Sequence, residues 1–405
     1  MPSAPDPRST PDSRPRVVIL RGQFVNPWEL RPWERLTDRF DVTVVVPFRH
    51  PQSVGSLAVA RVRARTASDL IPTRRACEFV ARLPVNRHFG LDRALAGAAI
   101  VHVAELHTWF SAQAARLCDG RGVRLVTTVW ETLPFRDALR HPLTRPNRRR
   151  VLRATDLFLA ATERARISLL LEGVSPERIR VAEAGIDLDR FAAVKPTGAG
   201  EADPLVISPG RLVWEKGHQD VLRAVCALRR GIIDGPGAAR RVRALILGSG
   251  PEEQRLRAYA RDLGIADAVT FRAAVPYDEM PAMYGQSTAM VLASIPTRSW
   301  EEQFGMVLVE AMAAGLPIVT TSSGAIPEVV GREAALVAAG DWVGIARALA
   351  DGPLRAPGQR VIYERAALER LGVGAAAARI ASAYDAVLDG ASTPEPGVPL
   401  DLASA

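Results

Sequence analysis

Cysteine is scarce in this chain. Cys77, Cys118 and Cys226 are odd in number and far apart in 405 residues. That excludes a disulfide framework and a clustered zinc site, and it points to a reduced, cytoplasmic setting. No apolar run approaches the ~20 residues of a membrane span. The opening MPSAPDPRSTPDSRPR has no apolar core of a signal peptide, and residues 1–15 and 391–405 read as disordered ends. Lysine is scarcer still: only Lys195 and Lys216 occur among 52 basic residues, the other 50 being arginine. Such usage fits GC-rich coding, as in actinobacteria. A lysine at 216 in this background suggests that a compact, flexible ammonium is needed there.

What is present describes a globular protein, 48% hydrophobic and 24% charged. A chain of 405 residues exceeds one comfortable core, so two domains are expected. Charge is uneven. Residues 1–195 carry 32 Lys+Arg against 20 Asp+Glu, or +12, and the remainder carries 20 against 24, or −4, which together recover +8. A basic first half fits an acidic partner, such as a phosphorylated acceptor or a peripheral anionic membrane surface at the cytoplasmic face. The densest run, Arg145 to Arg153 (RPNRRRVLR), has no interleaved aromatics for base stacking. Nucleic acid is therefore rejected, and a solvated helix face is preferred to a lipid patch.

Short apolar strands alternate with helical patterns from end to end, the mark of parallel α/β sheets. Strands are predicted near 16–20, 42–46, 100–103, 124–129, 157–160 and 179–182. Helices are predicted over Trp33–Phe40, Phe110–Cys118 and Thr162–Leu171. The stretch 196–204 (PTGAGEADP) is a natural linker. Strands then follow near 205–208, 243–247, 269–272, 289–292 and 317–320, with helices near 216–230, 251–263, 278–285 and 305–314. This predicts two doubly wound Rossmann-like domains, 16–195 and 204–373, disordered ends, and a final amphipathic helix within 374–390. Ligands of open α/β sheets bind beyond the carboxyl ends of the strands, so two such domains facing each other across a cleft would place the site there.

Residues 300–320, WEEQFGMVLVEAMAAGLPIVT, are the most informative stretch. Glu302 precedes a Phe304–Gly305 step that opens a helix, and Glu310 lies about two turns inside it. A helix start offers unpaired N–H groups and a positive dipole end, which suits a phosphate. At ~1.5 Å per residue the two carboxylates are on the order of 10 Å apart, roughly the span from a sugar across a pyrophosphate to a ribose. Carboxylates accept hydrogen bonds from vicinal hydroxyls. Upstream, Arg211 and Lys216 (GRLVWEKG) follow the first strand of the second domain, where two cations can neutralise a diphosphate.

The string Glu302-Gln303-Phe304-Gly305 through Glu310-Ala311-Met312-Ala313-Ala314-Gly315-Leu316-Pro317, then Gly324-Ala325-Ile326-Pro327-Glu328, resembles the retaining nucleotide-sugar glycosyltransferases of family 4, which have the GT-B fold. The resemblance runs from about Arg16 to Tyr384 and is specific in the C-terminal half. It implies donor phosphates at Arg211, Lys216 and the Phe304–Gly305 amides, sugar hydroxyls at Glu302 and ribose at Glu310. It further implies a final helix returning to the N-terminal domain, and front-face substitution in which the departing phosphate takes the acceptor proton.

In the first half, Gly22 lets backbone approach a phosphate after the first strand; the family often has two glycines there, and this chain has one. Glu29 and Arg31 are candidates for acceptor contact. His107, at a strand's carboxyl end, is a candidate beside the donor sugar, with Glu105 as the alternative and His102 assigned to the core. Glu131 either binds an acceptor hydroxyl or caps the next segment. Gly248-Ser249-Gly250-Pro251 lacks the third glycine of a dinucleotide fingerprint, and in similar enzymes that turn lines the nucleotide pocket. Asp187-Leu188-Asp189 resembles an element between the domains and no metal site, so no metal or cofactor is expected.

The expected activity is transfer of a hexosyl unit from a UDP- or GDP-sugar to an acceptor hydroxyl of a small molecule, lipid or polysaccharide, forming an α-linkage. A GT-B-type sugar-nucleotide epimerase or hydrolase and a non-catalytic sugar-nucleotide-binding protein are the alternatives.

Overall fold

The computed structural model describes residues 14–22, 25–48, 57–71, 87–139, 142–193 and 203–390. Residues 1–13 and 391–405 of the expected disordered ends, most of the expected linker, Cys77 and Lys195 lie outside the described residues.

The first sheet has seven strands: β1 (Arg16–Leu20), β2 (Asp41–Val46), β3 (Ala60–Arg63), β4 (Ile100–Ala104), β5 (Arg124–Val129), β6 (Leu157–Ala160) and β7 (Ile179–Val181). Their order is β3-β2-β1-β4-β5-β6-β7. Central β1 pairs in parallel on both sides, Val17 standing opposite Val42 and Ile100. Val17, Val18 and Ile19 are wholly buried, the continuous apolar run expected of a strand covered on both faces. The expected helix Trp33–Phe40 is not formed as such. Only Arg31–Glu34 is α-helical, begun by Pro32 in its first turn. The chain then continues in i to i−3 turns, Arg35 N–H to Pro32 O and Leu36 N–H to Trp33 O. Those turns still face Trp33, Leu36 and Phe40 inward, which is all that the hydrophobic spacing required.

The second sheet has six strands: β8 (Leu205–Pro209), β9 (Arg243–Leu247), β10 (Val269–Arg272), β11 (Ala289–Leu292), β12 (Ile318–Thr321) and β13 (Ala335–Val337). They are ordered β10-β9-β8-β11-β12-β13 and paired in parallel. Alternate residues serve opposite faces. Val206, Ile246 and Val291 join one apolar cluster with Val221, Leu222 and Val225. Ile207, Leu247 and Leu292 join another with Leu308, Val309 and Met312. Helices thus cover both faces, as a doubly wound sheet requires.

Five helices matter below: α1 (Trp109–Cys118), α2 (Glu163–Leu171), α3 (His218–Arg229), α4 (Met306–Ala313) and α5 (Val373–Leu388). By packing the chain divides into two compact units. Of the described residues, one holds those up to Val129, Leu143–Leu159 and Ala377–Gly390; the other holds Trp130–Pro142 and Ala160–Ala376. In the first unit, Tyr384 of α5 is wholly buried. Its hydroxyl accepts from Trp33 Nε1 at 2.8 Å and lies 2.6 Å from His102 Nδ1. His102 is itself buried inside β4, with Nε2 2.7 Å from Thr128 Oγ1. Among the described residues no helix is long and apolar enough to cross a membrane.

Candidate functional site

The site residues of the second unit lie in loops that leave the carboxyl ends of its strands. Two of these loops are zipped together by backbone. Gly210 N–H donates to Leu247 O at 2.9 Å and Leu212 N–H to Ser249 O at 3.0 Å, so the turn after β8 rests on the Gly248-Ser249-Gly250 turn after β9. The first turn then reaches the loop after β11, where Ile295 N–H donates to Glu215 O at 2.8 Å. Gly217, with φ +68°, ends this turn and starts α3. A Cβ on it would stand 1.8 Å from Ala293 O. Only glycine combines that conformation with that approach, and Lys216 is thereby fixed against the β11 loop.

His218 follows, and the sequence had not marked it. It is fully buried, 2.9 Å from Ser208 Oγ and 3.2 Å from Arg211 O. Burial pushes its imidazole down to about 4, with the hydrogen bond to Arg211 O opposing and the charge of Lys216 assisting. A neutral ring donating to Arg211 O and accepting from Ser208 holds the loop backbone in place. The Arg211 side chain is exposed and forms no ion pair among the described residues.

Lys216 meets Glu302 directly. Lys216 Nζ donates to Glu302 Oε2 at 2.6 Å, and Ser294 Oγ donates to the same oxygen at 2.7 Å. The ammonium also lies 5.1 Å from the centre of the Trp300 ring. Both partners are nearly buried, their side chains 14% and 8% exposed. The Glu302 backbone is held as well, since Ala325 N–H donates to Glu302 O at 2.9 Å. Two side chains, Lys216 from the turn after β8 and Ser294 from the loop after β11, therefore converge on one carboxylate oxygen. Ser294 and Trp300 gave no signal in the sequence, because a serine after a strand and a tryptophan in a loop are commonplace.

Three residues on, Gly305 at φ +80° opens α4 with no side-chain cap. A Cβ there would stand 2.7 Å from Leu308 Cδ1. Leu308 N–H turns back to Gly305 O at 2.8 Å, and with no side-chain cap the Met306 and Val307 amides before it suit a ligand or water. Phe304 is 2% exposed and anchors the turn, its ring meeting Trp130 edge-on at 5.8 Å. Glu310, within α4, is 3% exposed. It accepts from Tyr284 Oη at 2.8 Å and also from the Tyr277 hydroxyl. Burial pushes its carboxyl up to about 7, and the two phenol hydroxyls partly offset the rise. The third motif carboxylate, Glu328, accepts from the backbone N–H groups of Glu163 and Arg164 at the start of α2. It serves as a structural anion there. Arg164 in turn grips Glu301 through two bonds of 2.6 and 2.9 Å.

Glu131, in the same unit, accepts from Leu133 N–H at 3.1 Å, pairs with Arg136 at 2.7 Å and accepts from Gln303 Nε2 at 3.4 Å. Burial raises its carboxyl. Asp187 pairs with Arg190 at 3.5 Å. Among the described residues no three His, Cys, Asp or Glu side chains are grouped to hold a metal.

The first unit holds the remaining candidates. Beyond Gly22, the Phe110 ring occupies the space a Cβ would need. Glu29 pairs with Arg21 at 3.5 Å, and Arg31 pairs with Glu34 at 2.9 Å while lying over the Trp28 ring. His107 stands 4.0 Å from Glu105, and its carbonyl accepts from Asn147 at 3.4 Å. Arg21 is another residue the sequence had not marked. It is 3% exposed, and burial lowers its pKa against the pull of Glu29, Tyr384 and Glu105.

Comparison with known proteins supplies the rest. Residues 33–190 match the family described as Glycosyltransferase Family 4, and residues 189–352 match Glycosyl transferases group 1. A D-inositol 3-phosphate glycosyltransferase of Acidothermus cellulolyticus is 32% identical over 290 residues, 66% of this chain. The chain spans 62% of that relative's length. D-inositol 3-phosphate glycosyltransferase 1 of Catenulispora acidiphila is 30% identical over 66% of this chain and 67% of its own. Among solved structures, Anabaena HepE in complex with UDP and glucose superposes with a TM-score of 0.69 at 17% identity, covering 91% of this chain and 99% of that one.

Proposed function

From the premise that the chain belongs to glycosyltransferase family 4, with the GT-B fold, we infer that it transfers a hexosyl group from a nucleoside diphosphate sugar to an acceptor hydroxyl with retention, forming an α-linkage. The observation that carries this is the ion pair of Lys216 with Glu302 beside the uncapped start of α4. In a donor complex the ammonium, the exposed Arg211 guanidinium and the first amides of α4 would share the diphosphate. Each charge-assisted hydrogen bond contributes about 1.5–3 kcal/mol, and the charge that develops on the leaving phosphate would be stabilised where it forms. Glu302 would then exchange part of its hold on Lys216 for the sugar hydroxyls.

Front-face substitution needs no enzyme base beside a nucleophile, because the leaving phosphate accepts the acceptor's proton. Glu302 is poorly suited to nucleophilic attack, with one oxygen engaged by both Lys216 and Ser294. The donor is a UDP- or GDP-sugar, bound without a metal. HepE was solved with UDP and glucose, and the curated relatives carry names of inositol-phosphate glycosyltransferases. A phosphorylated polyol is accordingly the first acceptor class to try, and it agrees with the positive first half of the chain.

The test is a panel of UDP- and GDP-sugars with phosphorylated and plain polyols, followed by mass spectrometry of the products in excess chelator. Release of nucleoside diphosphate with formation of a glycoside, whose anomeric coupling constant reports the α-configuration, is expected. Diphosphate release with no glycoside from any acceptor would favour a hydrolase or epimerase. Binding without turnover would favour a non-catalytic sensor.

A further inference from the structure

The two tyrosines that hold Glu310 are not equivalent. Tyr284 belongs to the short helix Met280–Gly285 and is wholly buried. It is sealed in the core that also contains Leu308, Val309 and Met312. Tyr277 opens the turn Tyr277–Glu279 and is only partly buried, with exposed Ala273, Ala274, Pro276 and Asp278 around it in the chain. Its ring meets Phe191 edge-on at 5.7 Å, and Arg190 lies 5.8 Å from its centre. Arg190 also pairs with Asp278 and with Asp187. One hydroxyl therefore reaches Glu310 from the interior, and the other reaches it from a rim.

Two hydroxyls donating to one buried carboxylate are what a ribose diol would also offer. A buried carboxylate does not give up a donor without replacement, so the pair of phenols keeps Glu310 satisfied when nothing else is bound. Resting on the nucleotide-sugar function inferred above, we propose that Tyr277 is a specificity-determining residue of the donor site. Its hydroxyl occupies the place on Glu310 that a nucleoside's ribose takes, and the donor displaces it. Tyr284 stays in place as the positioning residue. A nucleotide without ribose hydroxyls gains nothing to offset the bond that Tyr277 would lose, so the exchange itself selects for ribonucleotides. The displaced ring lies against Arg190 and edge-on to Phe191, which makes the Asp187–Phe191 segment the part of the structure that senses donor occupancy.

Calorimetry of UDP, GDP and their 2′,3′-dideoxy forms at pH 8 tests this on the full chain, the Tyr277→Phe variant and the Tyr284→Phe variant. The better ribonucleotide is expected to bind Tyr277→Phe about 3–10-fold tighter than the parent, because no hydroxyl has to be displaced. Tyr284→Phe is expected to bind it more weakly. In turnover, the effect of Tyr277→Phe should fall on the donor KM, lowered by more than kcat changes, a split that a merely structural role would not produce. If the parent distinguishes ribose from dideoxyribose while Tyr277→Phe binds no tighter, the displacement is overturned. If the parent binds diphosphates without distinguishing the sugars, Glu310 is not the ribose ligand and the proposal fails while the donor site stands. If no diphosphate binds the parent at all, the nucleotide function fails first and the proposal with it.

Discussion

Lys216 Nζ and Glu302 Oε2 lie 2.6 Å apart, although 86 residues separate them in the chain. Each is supported independently. Gly217 locks the lysine turn against Ala293, and Ser294 binds the glutamate oxygen. A pair so nearly buried is costly to break from one side, because the remaining charge is left without its partner. The structure thus holds a cation and a carboxylate side by side, each fixed from its own loop.

Lys216→Ala should therefore lower turnover at least ~100-fold, equivalent to about 2.7 kcal/mol of barrier. Ser294→Ala removes one neutral donor to the same carboxylate and should cost no more than about tenfold. Steady-state kinetics on folded variants checks both. Near-normal turnover of Lys216→Ala would remove the lysine from the phosphate site.

Gly217→Ala should be harmful too, through the backbone that carries the lysine. Its Cβ would stand 1.8 Å from Ala293 O in a left-handed conformation, so the turn must move. We expect a drop in donor affinity of about tenfold or more and a loss of roughly 2 kcal/mol in stability. Denaturant melts and donor titration report the two effects separately.

Tyr384→Phe tests the last helix in its unit. The hydroxyl serves Trp33 Nε1 and His102 Nδ1, and its removal leaves two buried nitrogen atoms short of a partner. A loss of about 1–3 kcal/mol is expected from chemical denaturation, with Lys216-dependent donor binding kept. An unchanged melt would show that the helix is held by packing alone.

The pH dependence of stability carries two opposite signs. Glu310 titrates near 7 in the folded chain, above the usual carboxylate range, so the unfolded chain ionises first as pH rises. Its contribution is intact below about 4.5 and is lost as pH climbs to about 7. Glu310→Gln should then raise the melting temperature at pH 8, with little gain at pH 4, while weakening nucleotide binding. His218 titrates near 4, below its ordinary value, so the unfolded chain takes the proton first as pH falls. Stability from that ring is whole above about 6.5 and drains between 6.5 and 4. A pH series of thermal melts for the parent and Glu310→Gln would separate the two limbs.

Much of the fold could be read from the chain. The strand runs Arg16–Leu20, Arg124–Val129 and Arg243–Leu247 are short apolar stretches between turn residues, and local pattern suffices where both faces are buried. Edge strand Ala60–Arg63 (ARVR) went unnoticed because it is mostly exposed and carries arginine at alternate positions. The stretch after Trp33 showed helical spacing but coils in tighter turns, since spacing reports which side is buried and not how the backbone turns between the buried residues.

The amino-acid sequence by itself determined the alternation of strands and helices, the cationic turn around Arg211 and Lys216, and the two glutamates flanking a helix start. These are local matters, set by side-chain type and spacing along one strand or one helical turn. Only the tertiary structure decided that Lys216 and Glu302 share a proton-donor network with Ser294, that His218 braces the turn as a neutral ring, and that Glu310 is enclosed by Tyr277 and Tyr284. Each of those depends on which loops the sheet order brings side by side. Hydrogen bonds and desolvation act over a few ångströms of space and take no account of distance along the chain.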